Sequence, residues 1–348
     1  MILISILRKI AKLLNIDMKV LMLTEGGKDY GFGHITRTVS LYQAFESRGI
    51  LPEILVHGDD SVRGLLKNIK YEIMDWVKDG VVRKNLFKKN GIVIIDSYLA
   101  RYMVYREASD LAKVPVYIDD NNRINYPRGI VVNGNIYARE LGYPINKTIT
   151  YLLGIKYLPL RKAFWQVRKR KIKKKIGVIL VTFGGGDTGK LIKKILEFLV
   201  GNYADTKKII IGNNFNNFRG LTDMKDDATE LRDCPDAEKI KESMLEADMA
   251  IAGGGQTLYE LARLGLPTLG ICLIKNQLRN IEAFRKRGLL EYIGWPYENG
   301  LLFRIKEFID HSSYISRIRM HRISTGYVDG YGALRVVGQI LKANNTSR

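Results

Sequence analysis

From Met18 onward, short aliphatic runs alternate with longer segments of helical periodicity, and this alternation passes through the chain twice. Lys19-Val20-Leu21-Met22-Leu23 reads as a buried strand, and Ile35 to Ser47 as a helix with Ile35, Val39, Leu41 and Phe45 at apolar positions. Ile54 to Val56, Gly91 to Ile95 and Val116 to Ile118 read as further strands. Strands separated by helices pair in parallel, because each crossover helix carries the chain back to the start of the next strand. The pattern stops near Leu158-Pro159-Leu160 and restarts at Gly177-Val178-Ile179-Leu180-Val181. Helix 190–199, the strands Lys208 to Ile211 and Ala247 to Ile251, helix 256–264, the strand Thr268 to Leu273 and helix 277–287 continue it. The expected fold class is α/β, with two doubly wound Rossmann-like domains facing a cleft. The boundaries expected are 18–165 for the first domain, 166–176 for a basic linker, 177–330 for the second domain and 331–348 for a C-terminal helix. A length of 348 residues exceeds one ordinary core and fits two.

The chain carries a formal charge of +20, much of it in Arg168-Lys169-Arg170-Lys171-Ile172-Lys173-Lys174-Lys175. One reading is a solvated linker and a generally basic surface; the other is a surface that attracts a diphosphate, a nucleic acid or an acidic lipid face. Without zinc-finger spacing or an RNP-type aromatic cluster, no specific nucleic-acid partner is expected. The two cysteines, Cys234 and Cys272, make no disulfide framework, and Cys272 in an apolar run reads as a buried thiol. The four histidines (His34, His57, His311, His321) are scattered, so no metal site is expected. The cytoplasm is the expected compartment and a monomer the expected state. Residues 1–17 carry an apolar stripe broken by Arg8, Lys9 and Lys12, too short and too charged to span a bilayer. They read either as an amphipathic extension on the inner membrane face or as a leader ahead of a true start at Met18.

Three glycine-rich loops follow strands and open helices. In Thr24-Glu25-Gly26-Gly27-Lys28-Asp29-Tyr30-Gly31-Phe32-Gly33-His34, Gly31 and Gly33 are expected to take left-handed turns that let amides approach a ligand. His34 then sits near a helix N-terminus, where the dipole disfavours imidazolium and leaves a neutral ring able to accept a proton. Arg37, one turn on, is placed to orient an anion or a carboxylate. Phe183-Gly184-Gly185-Gly186-Asp187-Thr188-Gly189-Lys190-Leu191 satisfies G-x-x-x-x-G-K but has Leu191 where a P-loop needs a magnesium-holding hydroxyl, so nucleoside triphosphate hydrolysis is set aside. In Ala252-Gly253-Gly254-Gly255-Gln256-Thr257-Leu258-Tyr259-Glu260, free amides can bind a diphosphate without a metal, and Glu260 can accept from ribose hydroxyls. Lys275-Asn276-Gln277 follows the next strand, and Asn276 and Gln277 offer neutral groups for sugar hydroxyls or acetamido groups.

With these loops the chain resembles the UDP-2,4-diacetamido-2,4,6-trideoxy-β-L-altropyranose hydrolases of pseudaminic acid biosynthesis and the related spore-coat polysaccharide proteins. The resemblance runs from about Met18 to Lys342. It rests on Gly31-Phe32-Gly33-His34 with Arg37, Ile95-Asp96-Ser97-Tyr98, Ile118-Asp119-Asp120, Asn133-Gly134-Asn135, Gly185-Gly186-Asp187, the 252–260 loop, Lys275-Asn276-Gln277 and Asp329-Gly330-Tyr331-Gly332-Ala333-Leu334-Arg335. It implies a glycosyltransferase-B-like fold, similar to MurG, in which the second domain binds the nucleotide. It also implies metal- and cofactor-independent hydrolysis, with water attacking the anomeric carbon and UDP leaving. By resemblance His34 activates or positions the water, Tyr98 and Asn276 line the sugar, and Gly254, Gly255, Gln256, Thr257 and Glu260 serve the UDP. Gly31, Gly33, Arg37, Asp187 and Gln277 complete the expected substrate contacts. The Gly-Gly-Gln of the third loop stands where relatives often have small or hydroxyl residues.

The alternative is a MurG-like glycosyltransferase that passes the sugar from a UDP donor to an acceptor, for which a basic surface and an amphipathic leader suit a lipid-linked acceptor. Strict acceptor dependence of UDP release separates the two. A non-catalytic nucleotide-sugar sensor would leave its ligand intact.

Overall fold

The computed structural model describes residues 18–184, 188–212, 220–233 and 236–346. The chain divides into two compact units, residues 1–162 with 330–348, and residues 163–329.

The first unit is built on strands β1 (Val20–Gly26), β2 (Glu53–Gly58), β3 (Tyr71–Ile73), β4 (Ile92–Asp96), β5 (Val114–Ile118), β6 (Gly129–Asn133) and β7 (Ile149–Leu153). They form one sheet in the order β3-β2-β1-β4-β5-β6-β7, every pair parallel. Helices α1 (Gly33–Glu46), α2 (Gly80–Lys89) and α3 (Tyr102–Leu111) are the crossovers. Every residue of β1, β4 and β5 is buried, which is why these strands read as unbroken apolar runs and not as alternations. Leu21, Leu23, Val93 and Ile95 share one cluster with Trp76, Phe87 and Tyr105. Each such side chain contributes roughly 1.5–3 kcal/mol by leaving water. Helix α1 ends where Gly49 takes φ +77° and Ile50 N–H returns to the Phe45 carbonyl. Helix α2 starts where the Asp79 carboxylate accepts from Val82 N–H, a cap worth about 1 kcal/mol.

The second unit has strands β8 (Val178–Thr182), β9 (Lys207–Gly212), β10 (Thr229–Asp233), β11 (Met249–Gly253), β12 (Thr268–Ile271) and β13 (Glu291–Tyr292). Their order is β10-β9-β8-β11-β12-β13, again all parallel. The helices are α4 (Gly189–Asn202), α5 (Leu221–Met224), α6 (Ala237–Glu246), α7 (Thr257–Arg263), α8 (Leu278–Lys286), α9 (Leu301–His311) and α10 (Tyr314–Tyr327). Helix α4 buries Leu191, Ile192, Ile195, Leu196 and Leu199, one apolar face at helical spacing, against Ile179, Val181 and Ile210 of the sheet.

One part of the expected organisation changes. The run 166–176 is not a free linker: it packs onto the second unit. The Arg170 guanidinium donates to the carbonyls of Leu264, Ala247 and Met244, and burial pulls its pKa down to about 10. Lys173 pairs with Asp248 at 3.0 Å, and Arg317 donates to the Lys173 and Lys174 carbonyls. Buried carbonyls that end helices need donors, and a cationic strap supplies them. The expected C-terminal helix is present as α11 (Gly332–Thr346), and it returns to the first unit. It packs on α1, and Ala333, Val336, Val337 and Ile340 are buried. Gly332 approaches Leu158 so closely that a Cβ would lie 2.0 Å from its carbonyl oxygen.

Residues 1–17, Asp187 and Cys234 lie outside the described residues. Among the described residues, no helix is long and apolar enough to cross a membrane.

Candidate active site

In a doubly wound sheet, ligands bind beyond the carboxyl ends of the strands where the strand order reverses. In the first unit that point lies between β1 and β4, with Thr24 paired to Asp96 across them. The loop after β1 is pinched by an antiparallel bridge, Gly27 N–H to Gly31 C=O at 3.1 Å and Gly31 N–H to Gly27 C=O at 2.8 Å. Gly31 takes φ +74°, the left-handed conformation that glycine adopts without strain. Gly33 does not: it opens α1 with ordinary helical geometry, and a Cβ there would meet nothing within 4 Å.

His34, the second residue of α1, is buried and directed at the end of β4. Its Nδ1 lies 2.6 Å from Asp96 Oδ1. A carboxylate can only accept, so in the neutral ring the proton sits on Nδ1 and the lone pair on Nε2. Arg37 donates from Nε to Asp96 Oδ2 at 2.7 Å and from Nη2 to Asp96 Oδ1 at 2.6 Å. From Nη1 and Nη2 it also reaches Asp120 at 2.7 and 3.2 Å. Asp120 also accepts from the Tyr98 hydroxyl at 2.6 Å and from Asn135 Nδ2 at 2.8 Å. The Tyr98 ring stands edge-on to His34, centroids 4.7 Å apart. Glu25, the sixth residue of β1, accepts from Ser97 Oγ, from Tyr98 N–H at 2.8 Å and from Leu99 N–H at 3.2 Å.

The electrostatics differ from the helix-dipole expectation for His34. Burial disfavours the charged ring, yet the charge and hydrogen bond of Asp96 outweigh it, so the histidine lies above its ordinary 6.5, Arg37 opposing and Glu25 assisting. Burial alone would raise the Asp96 carboxyl, but Arg37 and His34 bring it below its usual value. Asp120 is depressed in the same way: burial opposes its charge and Arg37 overcomes the penalty. Burial and the neighbouring Asp120 keep the Tyr98 phenol neutral, although 42% of the residue is exposed, because the hydroxyl itself turns inward.

His34, Tyr98 and Arg37 are therefore brought together, and of the two roles expected for Arg37, orienting an anion or a carboxylate, its hydrogen bonds serve the second. Asp96, Asp120, Glu25 and Asn135 were given no role by sequence. Their signal was present: each polar residue ends an apolar strand, or follows one closely, on the side from which α1 starts.

In the second unit the strand order reverses between β8 and β11. The glycine turn after β11 is fixed from α8 and the segment before it. Gln277 Oε1 accepts from Gly254 N–H at 3.0 Å and from Leu273 N–H at 3.2 Å, so this oxygen holds the turn. Asn280 donates to the Gly254 carbonyl at 2.8 Å and accepts from the Tyr259 hydroxyl at 2.6 Å. The Gly254 amide is thereby taken, contrary to the expectation that it is free for a diphosphate. Gly254 is demanded by packing, since a Cβ would lie 2.7 Å from Ile281 Cδ1 and 2.9 Å from Gln277 Cβ; at Gly253 the near atom is the far end of Leu273, at 2.7 Å. At Gly255 the nearest atom is 3.9 Å away, leaving that side open. Gln256 and Thr257 are half-buried, Glu260 is buried within α7, and Asn276 is exposed beyond β12.

No protein-family model matches the chain. Solved structures align over almost its whole length: Acinetobacter baumannii MurG at 15% identity, covering 93% of this chain and 99% of that one, has TM-score 0.64. S. aureus MnaA with UDP, also at 15% identity, covers 94% and 97% with TM-score 0.66. The fold is glycosyltransferase-B-like. In sequence, the chain is 26% identical to the spore coat polysaccharide biosynthesis protein SpsG of Bacillus subtilis over 342 residues, 92% of this chain and 96% of that protein. It is 24% identical to the UDP-2,4-diacetamido-2,4,6-trideoxy-β-L-altropyranose hydrolase of Campylobacter jejuni over 280 residues, 78% of this chain and 97% of that one. An uncharacterized protein of Methanocaldococcus jannaschii is 28% identical over 279 residues, 75% of this chain; the chain spans only 57% of that protein's length. The resemblance seen in the loops is thus found again across most of the chain.

Proposed function

We propose that this protein is a nucleotide-sugar hydrolase that releases UDP from a UDP-2,4-diacetamido-trideoxyhexose, in the synthesis of a pseudaminic-acid-like surface sugar. The observation that carries the reading is the His34–Asp96 pair at 2.6 Å, at the switch point of the first sheet. The names of the Campylobacter and Bacillus relatives, matched over nearly their full lengths, support it.

In this mechanism Nε2 of His34 takes a proton from water as the water oxygen bonds to the anomeric carbon and the carbon–oxygen bond to UDP breaks. Asp96 fixes the tautomer and stabilises the imidazolium that forms, and Arg37 holds Asp96 in place. Tyr98 and Asn276 are assigned to the sugar. Gly255, Gln256, Thr257 and Glu260 are assigned to UDP, which leaves as a stabilised anion and asks for charge complementarity more than for an acid. The open side of Gly33 suits close approach of a ligand to the start of α1.

The likeness to MurG over nearly the entire chain favours a second reading, transfer of the sugar to an acceptor. One experiment separates the two. The protein is incubated with a panel of UDP-sugars, and UDP and the anomeric products are followed by NMR with and without candidate acceptors. Release without an acceptor is expected, whereas strict acceptor dependence replaces hydrolysis by transfer. His34→Asn should lose at least about 100-fold in turnover while retaining UDP, given the usual contribution of a general base. Undiminished turnover in that variant overturns the mechanism.

A further inference from the structure

The imidazole of His34 is flanked by a carboxylate on each side. Asp96 holds Nδ1, and Glu25 Oε1 lies 3.7 Å from Nε2, beyond hydrogen-bond reach but well within electrostatic range. Glu25 is buried, and both of its oxygens are occupied by donors of the loop after β4, Ser97 Oγ and the Tyr98 and Leu99 amides. None of these donors cancels the charge that Glu25 presents to the ring.

From this arrangement we infer that Glu25 is a positioning residue with a second duty: its negative charge stabilises the imidazolium that His34 becomes when it takes a proton at Nε2. The inference rests on the reading of His34 as the base. The charged and titratable groups facing the ring are Asp96 from β4, Glu25 from β1, Arg37 from α1 itself, and Asp120 and Tyr98 across the Arg37 guanidinium. Arg37 sits against both Asp96 and Asp120, whereas Glu25 is held by the Ser97 hydroxyl and the Tyr98 and Leu99 amides, all neutral donors. At 3.7 Å Glu25 does not take up Nε2 in a direct hydrogen bond. Through Ser97 and the Tyr98 amide, the same carboxylate ties the loop bearing Tyr98 to the edge of β1.

The test is Glu25→Gln, which removes the charge and keeps one acceptor oxygen, for the Tyr98 amide or for the Ser97 hydroxyl and Leu99 amide. In protein labelled with ¹⁵N-histidine, the His34 ring should titrate at least about 0.5 pH unit lower than in the unaltered chain. The acid limb of kcat/KM should move down with it. Ser97→Ala, which loosens the loop but keeps the charge, should not lower the titration. Should Glu25→Gln fail to fold, Glu25→Asp draws the charge back by one methylene and should shift the ring in the same direction by less. An unmoved His34 titration in either folded glutamate variant overturns the inference, as does an equal downward shift in Ser97→Ala. The ring titration is read without substrate, so it stands or falls apart from whether the protein hydrolyses a UDP-sugar.

Discussion

Asp96 takes two hydrogen bonds from Arg37 and one from His34 while fully enclosed, so its charge is held by partners and not by water. Removing one member of such a group strands the others, at about 3–5 kcal/mol. Asp96→Asn should therefore lower stability at neutral pH by that order. Because the folded carboxyl lies below its usual value, its contribution is complete above the unfolded pKa and is lost as pH falls through the folded one. The difference between the unaltered chain and Asp96→Asn should thus narrow below about pH 4, read as urea midpoints from pH 7 to pH 3. A constant gap across that range would contradict the assignment. His34 works in the opposite sense. Its raised pKa makes the pairing most stabilising below 6.5 and weaker as pH climbs through the folded value, the range in which a base must shed its proton.

At the scale of the element, the turn after β11 separates glycines needed by the fold from one that leaves room. Gly254→Ala pushes a methyl against Ile281 and Gln277 and should cost about 1–3 kcal/mol by overpacking. Gly255→Ala meets nothing nearer than 3.9 Å and should change stability by less than about 0.5 kcal/mol, weakening UDP retention instead. Thermal unfolding and UDP titration of both variants check this, and equal destabilisation would remove the distinction. The same turn shows what a sequence conveys and what it withholds. Strands β1, β4, β8 and β11 were legible because burial on both faces leaves continuous apolar runs, and α1 and α4 because their apolar spacing is helical. The loop glycines were legible as a group, but their separate duties were not, since Gln277 reaches Gly254 across 23 residues. Likewise His34 stood out by type, whereas its partner Asp96 lies 62 residues away and becomes adjacent only through the order of strands.

For the whole molecule, the basic strap and the last helix decide how the chain is divided. Neither reading of the basic run, solvated linker or anion-attracting surface, anticipates Arg170, because local sequence does not reveal that carbonyls from Met244, Ala247 and Leu264 converge on one guanidinium. Helix α11 binds the first unit through Ile340 and its apolar neighbours, so Ile340→Ala should cost about 2–5 kcal/mol, as for other buried aliphatic truncations. In chemical denaturation the loss should fall on the transition of residues 1–162, followed by Trp76 fluorescence; an unchanged midpoint there would assign α11 elsewhere.

The return of α11 also bears on synthesis. A ribosome releases the seven strands of the first unit long before the helix that covers α1, and all of residues 163–329 are made in between. The second unit is one uninterrupted stretch and can close as soon as it emerges. The first unit is therefore completed only after the second has emerged, and the apolar face of α1 stays uncovered until residues 332–346 arrive.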